Sequence, residues 1–216
     1  MTVQAGTAEA ETAQAGTAEA VPVTTGTAEV MPTLTEDFKA AFGGHPAGVA
    51  IITADSVTGP VGITASSVAS VSAEPPLLAF SLAASSGSAA AIAVADSVVV
   101  HLLTTDDLEL AKTFANSTSE RFTAAMPWTR LETGEPLLVH GGYALRCKVL
   151  SRTPAGGSLL LAAQVLQIMP QEKAGAEHGG TGQAGRSPAG TARAGAPMVY
   201  HNRNFHALGE HSVLSR

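Results

Sequence analysis

Between residues 48 and 103 the chain is cut into short β-branched or apolar runs by glycine, proline and serine. Branched side chains suit a pleated surface, and the interruptions suit turns. The runs therefore predict strands over 48–53, 61–65, 68–72 and 77–82, a short helix over 88–95, and a strand over 97–103. Later runs predict strands over 142–152 and 159–169 and a last short one over 197–201. Helices are few. One is expected over 36–42, and one over 108–116, where Leu108, Ala111 and Lys112 or Ala115 fall at helical spacing. Many short strands with few short helices make the fold class mainly β, a barrel or a sandwich.

The flanks differ in character. Residues 1–33 repeat Gly-Thr-Ala-Glu at Gly6, Gly16 and Gly26, and offer little apolar side chain beyond alanine. Such a tract cannot bury enough surface to order itself, so it is expected to be a disordered tail. Residues 34–210 are expected to form one domain, interrupted by a flexible Gly/Ala-rich loop over 171–196 and followed by a tail over 211–216. The loop contains Gly180, Gly182 and Gly185 in a GxGxxG match. That motif needs a buried strand before it and a helix after it, and neither flank is present. Asn116-Ser-Thr118 fits a glycosylation sequon, which has no meaning without export.

Composition removes several functions. The formal charge is −6, only 14% of residues are charged, and no Lys or Arg precedes Lys39. Phosphate backbones need clustered cations, so nucleic-acid binding is not expected. Cys147 is the single cysteine and lies in an apolar run. It cannot form an intrachain disulfide, and a buried strand thiol is its ordinary role. No secretory signal is visible, and the longest apolar stretch, 159–169, is too short to cross about 30 Å of hydrocarbon. A soluble cytoplasmic protein without a membrane partner is expected.

Two serine-rich segments could carry chemistry. Thr64, Ser66, Ser67, Ser70 and Ser72 lie at a strand end and the turn after it. They read equally as a turn whose hydroxyls satisfy local backbone and as a shelf for an oxygen-rich ligand. Ser81 to Ser88 precede the predicted helix over 88–95, whose N-terminal amides could receive a phosphate. Ser86 or Ser88 could equally cap that helix.

These segments lie within a longer pattern: Phe42-Gly-Gly-His-Pro-Ala-Gly-Val-Ala-Ile-Ile-Thr53, Gly59-Pro-Val-Gly-Ile-Thr-Ala-Ser-Ser67 and Ser70-Val-Ser-Ala-Glu-Pro-Pro-Leu-Leu-Ala-Phe-Ser-Leu82. Leu110-Ala-Lys-Thr-Phe114, Glu120-Arg-Phe122, Gly134-Glu-Pro-Leu-Leu138 and Pro197-Met-Val-Tyr-His201 continue it. In collinear order, over nearly all of residues 36–208, the chain resembles the short-chain flavin reductases, which supply reduced flavin to two-component monooxygenases. The resemblance implies an FMN-binding split β-barrel and a homodimer with flavin near the subunit interface. The cofactors it implies are FMN or FAD with NADH or NADPH, and the partner is a flavin-dependent monooxygenase. The positions matching flavin contacts are Pro60, Val61, Gly62, Ile63, Thr64, Ser66 and Ser67, then Ser81, Leu82, Ala83, Gly87 and Ser88, with Phe114. On the same resemblance the turn 85–88 holds the flavin phosphate, and Tyr200, His201, Asn202 and Arg203 approach the nicotinamide nucleotide.

Hydride transfer between two bound cofactors asks the protein to stack and shield rings, so no catalytic side chain or metal is expected. Three positions depart from the pattern. Gly156-Gly-Ser158 stands where many relatives carry Gly-Asp-His, leaving His201 to compensate. His101 replaces a common Asn, which unsettles a packing or dimer contact. Gly87 and Thr113 stand where some relatives place a cation, leaving Lys112 as the nearby one. A non-reductase flavin- or ligand-binding module on the same fold is the alternative, because a fold hosts several functions.

Overall fold

The computed structural model describes residues 32–83, 86–171 and 195–214. The repeat-bearing tail to residue 31, the segment 172–194 with its GxGxxG match, and residues 84–85 and 215–216 lie outside the described residues.

Helix α1 (Pro32–Gly43) is followed by β1 (Ala47–Gly48), β2 (Ala50–Ser56), β3 (Gly59–Ala65), β4 (Ala69–Ala73) and β5 (Pro76–Leu82). Then come α2 (Gly87–Val94), β6 (Ser97–Leu102), α3 (Leu108–Ala115), β7 (Trp128–Arg130) and β8 (Pro136–Leu138). The paired strands β9 (Tyr143–Ala155) and β10 (Ser158–Pro170) are the longest, and β11 (Met198–His201) and β12 (Asn204–Ala207) close the fold.

Seven strands form one antiparallel sheet in the order β3-β2-β6-β9-β10-β5-β4. Its two edge strands, β3 and β4, are consecutive in the chain and joined by Ser66, Ser67 and Val68. Laid flat, the edges would stand about 29 Å apart at about 4.8 Å per strand. The linker reaches only about 14 Å when fully extended. The sheet must therefore curl, and because no ladder joins β3 to β4 among the described residues, the barrel stays split there.

Strand β2 is buried at each position from Ala50 to Ala54 because it is covered on both faces. Ala50, Ile52 and Ala54 point into the barrel with Phe80, Ile92, Val98, Val100, Cys147 and Leu161. Val49 and Ile51 meet a second cluster containing Leu103, Ala111, Phe114, Leu138 and Met198. Cys147 is fully buried on β9, and burial pushes its thiol up to about 12.

The strand expected over 48–53 is broken between β1 and β2, because β1 leaves the barrel to pair with β11 in a small β1-β11-β12 sheet. The β11–β12 turn holds Asn202 at φ 48° and Arg203 at φ 62°. Two successive left-handed residues give the twist that a tight hairpin requires. The β9–β10 hairpin runs further than expected on both sides of a turn at Gly156, whose φ is 59°.

Candidate functional site

Strand β3 carries Pro60 to Thr64 between α2 and α3, which both pack on it. Gly62 is tightly backed. A Cβ there would lie 2.6 Å from Phe114 Cε1 and 3.2 Å from Thr53 Cγ2. The Thr64 hydroxyl donates to the Ala111 carbonyl of α3 at 2.7 Å, fixing the strand to the helix. Ser66, next in line, is exposed. Ser67 Oγ donates to the Ser81 carbonyl at 3.1 Å and accepts the Ser81 amide at 3.0 Å. One side chain thus clasps the end of β5 to the loop after β3, in line with the β4–β5 pairing, and brings the two serine-rich segments together.

Beyond β5, Ala83 is exposed, and α2 opens at Gly87 with φ 60°. Ser86 occupies the N-cap position, yet its side chain makes no capping bond. Ser88 Oγ instead accepts from Arg121 Nη1 at 3.2 Å. The same nitrogen donates to the Gly62 carbonyl at 2.6 Å, and Nη2 donates to the Asn116 carbonyl at 2.6 Å. The guanidinium lies 5.6 Å from the centre of the Phe114 ring. Arg121 Nε is buried without a partner, and burial lowers the basicity of the side chain.

Thr64, Ala65 and Ser66 form one wall of a cleft of about 280 Å³. Tyr200, Arg203 and Phe205 from the β11–β12 hairpin form another, with Val49 and Ala115 between them. A second hollow of about 260 Å³ is lined only by glycine and apolar residues such as Val68, Leu102 and Met198, so it has no side chain to orient a polar ligand.

The described family of flavin reductase like domains matches residues 42–209. The chain belongs to that family. It is 39% identical over 171 residues to an NADH:FMN oxidoreductase of Rhodococcus qingshengii, a match covering 79% of this chain and 80% of the relative. It is 29% identical over 174 residues to a stachydrine N-demethylase reductase subunit of Rhizobium meliloti, covering 79% and 70%. Among solved structures, a flavin reductase domain protein from Arthrobacter sp. FB24 superposes with a TM-score of 0.67 at 31% identity. That superposition covers 81% of this chain and 96% of the other.

Within this flavin reductase fold the expected residues separate by placement. Thr64, Ser66, Tyr200 and Arg203 share the cleft. Ser67 and Ser81 form the clasp, and Gly87 and Ser88 open α2. Leu82 and Phe114 point into the two apolar clusters, leaving only their backbone or ring edge toward the shelf. His201 contacts Asn202 at 3.2 Å and packs on His206, and neither His201 nor Asn202 lines the cleft. The Gly156-Gly-Ser158 turn stands beside the end of β5, since Leu159 pairs with Leu82, and its one polar side chain is the Ser158 hydroxyl.

Lys112 pairs with Glu109 at 2.7 Å on the exposed face of α3. Arg121, which reaches Ser88 and the Gly62 carbonyl, is delivered by a loop whose Phe122 takes φ 57° and packs edge-on against Phe114 and Trp128. The Glu120-Arg-Phe122 segment was the available signal.

His101 is a packing residue, fully buried beneath β2. Thr53 Oγ1 donates to the Pro136 carbonyl at 2.6 Å, so its lone pair receives the His101 Nε2 proton at 3.2 Å. His140 lies edge-on at 5.1 Å and accepts the Gly142 amide at Nδ1. Desolvation first, and then His140, hold His101 well below the ordinary imidazole value; desolvation lowers His140 to about 4 despite Asp107.

Proposed function

We propose that this chain is a flavin reductase that moves hydride from NADH or NADPH to FMN or FAD and releases reduced flavin to a monooxygenase. The observation that carries the reading is the shared cleft. The strand end that resembles a flavin shelf and the hairpin that resembles a nicotinamide-nucleotide site face each other across one space. A reaction between two bound cofactors needs that juxtaposition more than it needs an acid or a base.

The residues suit a flavin on two grounds. Ser66, Ser81 and the β3 backbone present oxygen and nitrogen along an exposed edge, and the buried Nε–H of Arg121 lacks an acceptor beside the opening of α2. Bound flavin supplies the hydride acceptor. Thr64 keeps β3 in place against α3, and the Ser67–Ser81 clasp fixes the distance between the two ligand segments. Tyr200, steadied by Phe205 at 5.1 Å, offers an aromatic wall that keeps water from the reacting face, and Arg203 offers charge to a nucleotide phosphate.

A homodimer fits the exposed apolar side chains Leu150, Leu160, Leu166 and Ile168 on β9 and β10, which a second copy would cover. The cytoplasm, as a store of NADH and NADPH, is the setting we infer; no helix among the described residues is long and apolar enough to cross a membrane. The partner oxygenase is supported by the relative that is itself a reductase subunit.

The assay follows nicotinamide absorbance with purified protein, NADH or NADPH, and added FMN or FAD. Flavin-dependent oxidation with at least one donor is expected. A flavin-binding signal without oxidation by either donor would leave only the binding-module reading.

A further inference from the structure

Thr53 stands directly across from Gly62 in the β2–β3 pairing and is fully buried. Its Cβ carries a hydroxyl and a methyl of similar size, so packing alone does not choose which of the two faces Gly62. Hydrogen bonds choose. Oγ1 donates to the Pro136 carbonyl of β8 at 2.6 Å and accepts the Nε2 proton of His101 on β6 at 3.2 Å. His101 is itself fully buried, with the His140 ring edge-on at 5.1 Å. A β-branched side chain turns about χ1 as one unit, so fixing the hydroxyl fixes the methyl too. The methyl, Cγ2, is thereby set against Gly62, where a Cβ would lie 3.2 Å from it.

Phe114 closes on Gly62 from α3. Its Cε1 would lie 2.6 Å from the same Cβ, and the ring is buried. The Gly62 backbone is therefore flanked by a methyl from β2 and a ring from α3. Its position matters because β3 ends the large sheet, and no strand among the described residues pairs with its second edge. The Gly62 carbonyl accepts from the Arg121 side chain at 2.6 Å. Thr64, two residues on, is anchored by its own hydroxyl to the Ala111 carbonyl. Gly62 has no side chain with which to anchor itself, so close packing on its flanks sets where this stretch of the edge lies.

We propose that Thr53 is a positioning residue for flavin: its methyl, oriented by His101 and the Pro136 carbonyl, props the Gly62 backbone where β3 presents its free edge to the ligand. The proposal rests on the flavin-binding reading above. Thr53 acts through Gly62 and, being fully covered, touches no ligand itself.

The test separates the two arms of the side chain in the purified full chain. Thr53→Ser keeps the hydroxyl and removes the methyl. Thr53→Val keeps a methyl toward Gly62 and removes the hydroxyl. The dissociation constant for FMN is read by flavin fluorescence, KM for FMN and for NADH by nicotinamide absorbance, and stability by the urea midpoint. Thr53→Ser should raise Kd and KM for FMN about three- to tenfold, as the loss of one hydrogen bond to the displaced strand would. Its KM for NADH should stay at the wild-type value. Thr53→Val should bind FMN like the wild type yet unfold at lower urea, because the Pro136 carbonyl and the His101 Nε2 proton lose their partner. A merely structural Thr53 would leave FMN affinity unmoved in both variants. If Thr53→Ser binds FMN as tightly as wild type, or Thr53→Val loses as much affinity as Thr53→Ser, the proposal is overturned. Wild-type protein that binds no FMN would instead overturn the flavin reading beneath it. Should Thr53→Val not fold, Thr53→Ser, which keeps the hydroxyl for both bonds, decides alone on its split between FMN and NADH.

Discussion

Gly62 shows how a single missing side chain shapes the shelf. Its absent Cβ is the space that Phe114 fills, and the Phe114 ring is held in turn by Phe122, edge-on at 5.3 Å. Phe114 is buried, and Thr53 closes the other side. Gly62→Ala should therefore cost about 1–3 kcal/mol, the usual penalty for overpacking a filled core. A urea titration reads it, and an unchanged midpoint would mean that Phe114 swings aside freely. The residues of β3 were legible in the sequence because they lie in one collinear segment. The placement of Arg121 was less so: the Glu120-Arg-Phe122 segment marks the residue, but two of its three acceptors are the backbone carbonyls of Gly62 and Asn116, which leave no mark on side-chain identity. Lys112 lies near in the sequence but one position off, and its own helix supplies Glu109 at i−3 as its partner.

At the level of elements, the Ser67 clasp carries the β4–β5 pairing on into the loop after β3. Ser67→Ala removes both the donor to the Ser81 carbonyl and the acceptor of its amide. Water can replace part of each bond at this exposed position, so the expected loss of stability is about 0.5–1.5 kcal/mol. The sharper signature is local: the Ser81 amide should exchange hydrogen faster while core amides on β2 and β6 do not. Unaltered protection at Ser81 would mean that the clasp does not hold the end of β5. Strands β3, β5, β6, β9 and β10 were readable because their branched and apolar runs are long enough to carry a pattern. The short pair β7 and β8 was not, having three residues each, and β8 begins with Pro136. Strand β12 is Asn-Phe-His-Ala, without branched residues, and its hairpin turns on Asn202 and Arg203 without any glycine. Turn geometry there is imposed by pairing with β11, an interaction that no local window contains.

For the molecule as a whole, the buried imidazoles set the response to acid. His101 and His140 are both fully buried, one on β6 and one following β8. The groups facing them are Thr53 from β2, the Pro136 carbonyl from β8, and the Asp107 carboxylate at the start of α3, 3.9 Å from His140 Nδ1. Both rings are neutral in the folded chain, since their values lie below the ordinary 6.5, about 4 for His140. The unfolded chain binds these protons first as pH falls, so their stabilisation is complete above about 6.5 and is lost toward the folded value. By pH 5 the loss from His140 should be about 2 kcal/mol, at about 1.4 kcal/mol per pH unit, and His101 adds a loss of the same sign. Glu135 does not confuse this window. Burial would raise its carboxyl, but Ser97, Thr133 and Arg146 outweigh burial and hold it below 4.5, so its contribution disappears only at lower pH. Urea unfolding at pH 7.5, 6 and 5 should thus show a steady fall for the wild type. His101→Asn, which puts a neutral amide there, should flatten that fall and leave only the part due to His140. If the variant keeps the full slope, His101 is not the proton site, and if the wild type shows none, both rings already titrate normally in the folded state.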